Sequence, residues 1–172
     1  MHRRHLLQTA ASTATSAAVF SLPGCGFALR TAPTFVFKSI YSPFPESSPL
    51  GAEFKRTMES NGAVRVISDA RELAQAEVVL DVLAERREKI VVSRNAAGQV
   101  REFQLRLFFK FNLRTAKGKE LITEAELLQQ RDISFNESAV LAKEAEEGLL
   151  YRDMQSDIVQ QLMRRLAALR TL

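Results

Sequence analysis

The segment at residues 102–113 is the clearest alternation of apolar and polar residues in the sequence. Its apolar positions are Phe103, Leu105, Leu107, Phe109, Phe111 and Leu113, and the polar ones are Glu102, Gln104, Arg106, Lys110 and Asn112, with Phe108 as the exception. Successive residues of a strand point to opposite faces of the sheet, so this pattern predicts a strand with one face on a core and one polar face. The fold therefore needs a sheet that is covered on one side.

Further strands are predicted around this one. Two long strands are expected at residues 77–94 and 120–135, and two short ones at residues 35–41 and 63–67. In the first long strand the residues expected to share one side are Val78, Leu80, Val82 and Ala84. The charged run at residues 85–89 is expected to bulge or to leave the sheet.

Two amphipathic helices are predicted from the fourfold spacing of apolar residues. The first has Ser48 as N-cap, Pro49 at its first position and Gly62 just beyond its end. The second runs from residue 137 to about residue 169, with an expected kink or break at Gly148, because glycine costs about 1 kcal/mol inside a helix. A helical turn is also expected at residues 69–76.

The order β–α–β–β–β–α predicts an α+β fold, a two-layer sandwich. Two helices would pack on one face of a mostly antiparallel or mixed sheet of about four strands. The other face of the sheet would be polar and open.

Residues 1–24 have the composition of a secretory signal. A basic head, MHRRH, precedes a weakly apolar stretch that ends in small residues before Cys25. Serine and threonine dilute this stretch too much for a transmembrane helix, which needs about 20 apolar residues. The expected organisation is a signal peptide at residues 1–24, a tether at residues 25–34 and a single domain at residues 35–172.

Cys25 is the only cysteine in the chain. Its thiol could be free, form an intermolecular disulfide or carry a lipid, and no disulfide can form within the chain. The ending Leu22-Pro23-Gly24-Cys25 resembles a bacterial lipobox, which implies that Cys25 is acylated and becomes the first residue of the mature protein. Gly26 after the cysteine favours the outer membrane. The adjacent Arg3 and Arg4 leave both the general and the twin-arginine export routes open.

The composition argues against an enzyme. Both histidines, His2 and His5, lie in the signal peptide, so the mature chain would have no histidine for zinc binding or proton transfer. No phosphate-binding loop or nucleophile elbow is present, and no metal or cofactor is expected. Loss of Arg3 and Arg4 lowers the net charge from +4 to +2, too little to indicate nucleic-acid binding.

Basic residues give the candidate binding site. Four basic residues are expected near one end of the sheet, on its open side: Arg86, Arg87, Lys89 and Arg94. Lys143 is expected near the start of the last helix. Such residues usually form a solvated surface. In an exported protein tethered to a membrane they could also bind an anionic ligand such as the phosphate of a lipid head.

The order of several motifs resembles one family, LptE, the lipopolysaccharide-assembly lipoproteins. These motifs are CGFALR at residues 25–30, FKRTMESNGAVRVI at residues 54–67, SRNAAGQVREFQL at residues 93–105 and VLAKEAEEGLLYRDMQSDIVQQLMRRL at residues 140–166. The resemblance covers almost the whole mature chain.

The resemblance implies that the protein plugs the outer-membrane β-barrel LptD, helps to assemble that barrel and binds lipopolysaccharide during insertion into the outer leaflet. It also implies that Arg94 and Lys143 contact lipopolysaccharide, whereas Arg86, Arg87 and Lys89 are candidates from their charge alone. The alternative is an auxiliary lipid-binding lipoprotein of another envelope transport system.

Overall fold

The alternating segment forms the middle of three long antiparallel strands. The structure is a computed structural model, which describes residues 33–60 and 62–172. Strand β3 (Val78–Arg94) pairs with β4 (Val100–Thr115), and β4 pairs with β5 (Glu120–Ser134). Residues that are directly opposite one another in such a ladder face the same way, so the alternation in β4 defines the two faces of all three strands.

Two short strands extend the sheet beside β3. Strand β1 (Ser39–Tyr41) lies between β2 (Arg65–Ile67) and β3 and is parallel to both. The sheet is therefore mixed, which confirms the predicted α+β class, but it has five strands where the sequence predicts about four. Strand β1 is shorter than the predicted 35–41, because β2 begins opposite Ser39 and β3 opposite Ile40, so neither strand lies beside the residues before Ser39.

Helix α1 (Pro49–Ser60) begins and ends as the sequence predicts. The Ser48 hydroxyl accepts a hydrogen bond from the Gly51 amide over 3.0 Å, which is the N-cap interaction. Gly62, just past the helix, has a φ of 64°, a left-handed conformation that glycine adopts without strain.

Helix α2 (Val140–Ala167) follows a short 3₁₀ helix (Glu137–Ala139). It passes through Gly148 without interruption, so the predicted kink or break at this position is wrong. Its buried stripe includes Met154, Ile158 and Leu162. Packing of this long stripe outweighs the roughly 1 kcal/mol that one glycine costs in a helix.

Both helices cover the same face of the sheet, as predicted. Helix α1 contributes Leu50, Phe54 and Met58 to a single hydrophobic cluster that also contains the buried stripe of α2. The sheet contributes the alternating apolar residues of β4, namely Leu105, Leu107, Phe109, Phe111 and Leu113. This cluster is the main core.

A smaller cluster lies on the other face, at the β1 end of the sheet. Tyr41, Ile67 and Val79 belong to it, whereas their neighbours Ile40, Val66 and Val78 belong to the main core. The 3₁₀ helix at Ala70–Gln75, predicted as a helical turn, packs Leu73 on this cluster. The second face is therefore covered at one end and open only along the long strands.

Both clusters draw on described residues between Phe35 and Leu169, and the described residues belong to one compact unit. A chain that starts after Cys25 contains all of these residues, so we expect it to fold alone. No helix within residues 33–60 and 62–172 is long and apolar enough to cross a membrane.

Candidate functional site

A bulge in β3 determines where the basic residues point. Val82 pairs with Phe111 and Ala84 with Lys110, so Leu83 is an extra residue that has no partner of its own. Ala84 consequently faces away from the helices, in contrast to the prediction that it shares a side with Val82. The charged run at residues 85–89 stays in the sheet, and the bulge lies two residues before it.

The bulge turns two of the predicted residues towards the helices. Arg87 pairs with Leu107 and Lys89 pairs with Leu105, and both of these leucines lie in the main core. The expectation that the basic cluster lies on the open side is therefore wrong for Arg87 and Lys89. The sequence pattern could not show this, because the inserted residue changes the face of every position after it.

Arg86 remains on the open face. Its guanidinium carbon lies 4.6 Å from the centre of the Phe108 ring, a cation–π contact between neighbouring strands. Arg86 is thus separated by the sheet from Arg87 and Lys89.

Arg87 joins the sheet to α2. Its Nη2 donates a 3.3 Å hydrogen bond to Gln155 Oε1, and its guanidinium carbon lies 5.1 Å from the centre of the Tyr151 ring. The Tyr151 hydroxyl donates to the carbonyl oxygen of Glu88 over 2.8 Å, and burial raises the pKa of this tyrosine above its usual value. These contacts indicate a packing role for Arg87.

Lys89 lies at the edge of the helix-covered face. Its Nζ is 2.6 Å from Glu147 Oε2 in α2 and 4.4 Å from the centre of the Phe103 ring. Its side chain is 36% exposed. The ammonium group therefore has a carboxylate and an aromatic face on the protein side and reaches solvent on the other.

Lys143 occupies the first turns of α2, close to the end of β5. Its Nζ donates to Ser134 Oγ over 2.9 Å and to Glu146 Oε2 over 2.8 Å. Glu146 and Glu147, both in α2, each form an ion pair with one of these two lysines.

Lys89 and Lys143 line one pocket of about 240 Å³ between α2 and the ends of β4 and β5. The rest of its lining is Phe103, Ile133, Ser134, Phe135, Val140, Glu144 and Glu147. Phe103 and Phe135 meet edge to face with their ring centres 5.2 Å apart. Aromatic and aliphatic walls suit the apolar part of a ligand, and the two ammonium groups suit an anionic group. The carboxylates of Glu144 and Glu147 share the lining and balance the charge of the two lysines.

Arg94 lies outside this pocket lining, as the last residue of β3 before the turn to β4. Its Nη1 donates to the carbonyl oxygen of Gly98 over 3.0 Å. Asn95 holds the turn by accepting hydrogen bonds from the amides of Ala97 and Gln99, and Gly98 has a φ of 81°. Arg94 is thus at the same end of the sheet as Lys89, but the structure does not bring it to Lys143.

Sequence reasoning missed the walls of the pocket. Phe103 was interpreted as a core position and Phe135 as the last residue of a strand, and only the packing of α2 over the strand ends shows that they border a cavity. No group of three or more metal-binding side chains occurs in residues 33–60 and 62–172. Cys25, the predicted lipid attachment point, lies outside the described residues.

The model of the LptE family, described as lipopolysaccharide-assembly, matches residues 37–166 of this chain. No curated protein sequence matches this chain. The match covers both α-helices, with the exception of the last residue of α2, and every strand.

Solved structures agree with this match. Uncharacterized lipoprotein B of Nitrosomonas europaea is 31% identical to this chain. The two structures superpose with a TM-score of 0.70, over 83% of this chain and 91% of the Nitrosomonas chain. Rare lipoprotein B of Shewanella oneidensis is 22% identical over 76% and 95% of the two chains, with a TM-score of 0.61.

A minor lipoprotein of Acinetobacter baumannii is 21% identical over 78% of this chain and 94% of its own, also with a TM-score of 0.61. The Shewanella and Acinetobacter structures, which are 22% and 21% identical to this chain, support the fold alone. Because the family model spans most of the chain and the Nitrosomonas structure has the same fold at higher identity, this chain belongs to the LptE family of lipopolysaccharide-assembly lipoproteins.

Proposed function

We propose that this protein is an outer-membrane lipoprotein, anchored through Cys25, that plugs the barrel LptD, helps to assemble it and binds lipopolysaccharide on its way to the outer leaflet. The observation that carries the proposal is the match of the LptE family to residues 37–166. The match reaches across the whole sheet and both helices, so it concerns the complete domain.

The pocket between Lys89 and Lys143 supports the lipopolysaccharide part of the proposal. Lipopolysaccharide joins acyl chains to a phosphorylated sugar head, so it has the apolar and anionic parts that this pocket suits. Both lysines already have carboxylate partners, Glu147 and Glu146. A phosphate that binds here replaces or joins those carboxylates, and this exchange reduces the net gain from each lysine.

The open face supports the plug. On β4 it carries polar side chains, namely Glu102, Gln104, Arg106, Lys110 and Asn112. The interior of an outer-membrane barrel is polar and accepts these side chains. The same face also carries Phe108, Leu128 and Ile90, which need apolar partners on the barrel wall. The helices already cover the apolar face, so the domain needs no partner to complete its core.

Removal of the two pocket lysines tests lipopolysaccharide binding. The double variant Lys89→Ala, Lys143→Ala is expected to bind lipopolysaccharide about 10-fold to 30-fold more weakly at low salt, since each lysine contributes roughly 1 kcal/mol after its exposure and its carboxylate partner are taken into account. The matched control Arg86→Ala, Lys110→Ala removes the same charge from the open face and is expected to bind normally.

Arg94 is tested in a second pair because it lies outside the pocket lining. The pair Arg94→Ala, Lys143→Ala is also expected to weaken binding while the fold stays intact by circular dichroism, and comparison with Lys143→Ala alone isolates the effect of Arg94. Unchanged binding of both double variants at low salt would show that these residues are ordinary surface charge. Recovery of phospholipid in place of lipopolysaccharide in a native mass spectrum would favour an auxiliary lipid-binding lipoprotein.

A further inference from the structure

The sheet has two edges, and they differ greatly in length. Strand β2 forms one edge with three residues, and β5 forms the other with 15. A strand at an edge presents a row of backbone N–H and C=O groups that can pair with another chain, so proteins commonly keep such strands short or interrupt them with proline. Strand β5 contains neither proline nor glycine. Its outer side is therefore a long template for a further strand.

The ladder with β4 shows which residues of β5 turn their backbone groups outward. From Ala125 to Ser134 the two strands pair residue by residue without a shift in register. One residue further along, the amide of Phe135 donates to the carbonyl oxygen of Arg101 over 2.8 Å. Hydrogen-bonded and non-hydrogen-bonded pairs alternate in an antiparallel ladder. The odd-numbered residues of this stretch thus bond to β4, and the even-numbered ones point away from it.

Five exposed residues consequently form the free edge, here called the β5 edge: Glu126, Leu128, Gln130, Asp132 and Ser134. Among the described residues one group caps this row, since Arg131 Nη1 donates to the carbonyl oxygen of Gln130 over 2.9 Å. The other outward backbone groups of the row have no partner in the described part of the chain. A second chain can therefore bond to this edge without breaking the ladder to β4.

The first charged residue of the β5 edge is Glu126. It lies opposite Lys110 of β4, but the Nζ of Lys110 forms its ion pair with Glu124 Oε1, over 2.5 Å. Glu126 itself takes part in no ion pair within residues 33–60 and 62–172. Its carboxylate is therefore available to a cation on the outer side of β5.

The second charged residue is Asp132, six residues further along the same face. It accepts a hydrogen bond from Gln104 Nε2 over 3.0 Å and, like Glu126, has no ion pair among the residues that the structure describes. The nearby Arg106 donates to Gln104 Oε1 over 2.8 Å instead. The β5 edge thus offers two carboxylates, about 20 Å apart, to a strand beside it.

A second copy of this chain is a poor partner for the β5 edge. In the antiparallel register that pairs residues 126–132 with themselves, Glu126 lies opposite Asp132 at two places. Like charges directly opposite one another destabilise a pair of strands. The two carboxylates therefore oppose self-association, and they favour a different chain that carries basic residues at the matching positions.

We propose that the β5 edge binds an extended segment of the barrel protein as a sixth strand of the five-stranded sheet, with one lysine or arginine of that segment beside Glu126 and another beside Asp132. The barrel as the source of the segment rests on the proposed function, whereas the free edge and its charges do not. In this mode of binding, backbone hydrogen bonds give affinity and side chains give specificity. A strand added here extends the sheet in its own plane, so both faces stay available to a domain that plugs a lumen.

Competition between two versions of the full-length chain tests the proposal in the cells that make the barrel. The parent chain and a variant carry different tags, and the amounts of barrel recovered on the two tags are compared. Gln130→Pro removes one outward amide and no bond to β4, since proline is tolerated on an edge where its nitrogen faces away from the sheet. It is expected to recover about 5-fold less barrel than the parent, the loss given by one missing hydrogen bond.

A reversal of charge tests the chemistry of the bound segment. Glu126→Lys, Asp132→Lys is expected to recover about 10-fold less barrel, because each attractive pair across the strands becomes a repulsive one. The matched control Glu59→Lys, Asp153→Lys reverses two exposed carboxylates of the helices that have no ion pair among the described residues, and it is expected to compete like the parent. Thermal unfolding by circular dichroism checks that each variant folds.

Three outcomes would overturn the proposal while the proposed function stands: equal recovery of the barrel on the parent and on Gln130→Pro, an equal effect of the two charge reversals, or self-association of the parent that Gln130→Pro abolishes. The last of these would make a second copy the occupant of the edge. A parent chain that recovers no barrel at all refutes the proposed function, and the proposal with it.

Discussion

Gly51 and Gly148 are both glycines within α-helices, yet alanine is expected to act in opposite directions at the two positions. A Cβ at Gly51 would overlap the Cβ of Phe44 and lie 2.6 Å from its Cγ. Phe44 holds two aromatic contacts, with ring centres 5.9 Å from Phe54 and 5.6 Å from Phe109. The variant Gly51→Ala must therefore displace Phe44 and the loop that carries it.

The size of the effect follows from three contributions. Overpacking costs about 1–3 kcal/mol, and each weakened aromatic contact costs up to about 1 kcal/mol. Alanine returns about 1 kcal/mol, because it is a better helix former than glycine. Gly51→Ala is thus expected to destabilise the domain by about 1–3 kcal/mol, which lowers Tm by roughly 3–10 °C for a domain of this size.

Gly148→Ala is the matched control. Nothing lies within 4 Å of a Cβ at Gly148, so the helix-propensity gain is unopposed and the domain is expected to be stabilised by about 1 kcal/mol, or roughly 3 °C. Thermal unfolding of both variants by circular dichroism measures the difference. A shift of the same sign in the two variants would refute the reasoning that Gly51 is kept small by Phe44.

Two further substitutions test contacts that fix the helices. Ser48→Ala removes the N-cap bond to the Gly51 amide and the bond that the Ser48 hydroxyl donates to Glu85 Oε2, and it is expected to lower the free energy of unfolding by about 1 kcal/mol in urea titration. Ser48→Thr keeps a hydroxyl for both bonds and is expected to restore most of it. Tyr151→Phe removes the hydrogen bond to the Glu88 carbonyl and is expected to cost about 1 kcal/mol. Because the pKa of Tyr151 is raised on folding, the parent loses stability as pH rises above about 10 and the phenylalanine variant loses less.

The fold was largely predictable because its signals are local. The alternation at residues 102–113 fixed the two faces of β4, and the Ser48 cap and the spacing of Leu50, Phe54 and Met58 fixed α1. These patterns depend on neighbours along the chain. The short strands β1 and β2 were also predicted, at residues 35–41 and 63–67, but their parallel pairing was not, because no local pattern encodes the pairing of two distant segments.

The site was less predictable because a single bulge decides it. The extra residue Leu83 turns Arg87 and Lys89 onto the helix-covered face, and nothing in the local sequence states how β3 pairs with β4 at that point. The neighbourhood of Lys89 and Lys143 likewise depends on the packing of α2 over the strands. The resemblance to the family identified Lys143 and Arg94, and only the structure shows which of the two borders the pocket.

Extraction in mild detergent followed by affinity purification tests the central claim most directly. The tagged protein, expressed in its own cells, is purified and the proteins that come with it are identified by mass spectrometry. The proposed function predicts a large outer-membrane barrel of the LptD type together with lipopolysaccharide. Recovery of the lipoprotein alone, under conditions in which such barrels stay intact, would contradict it.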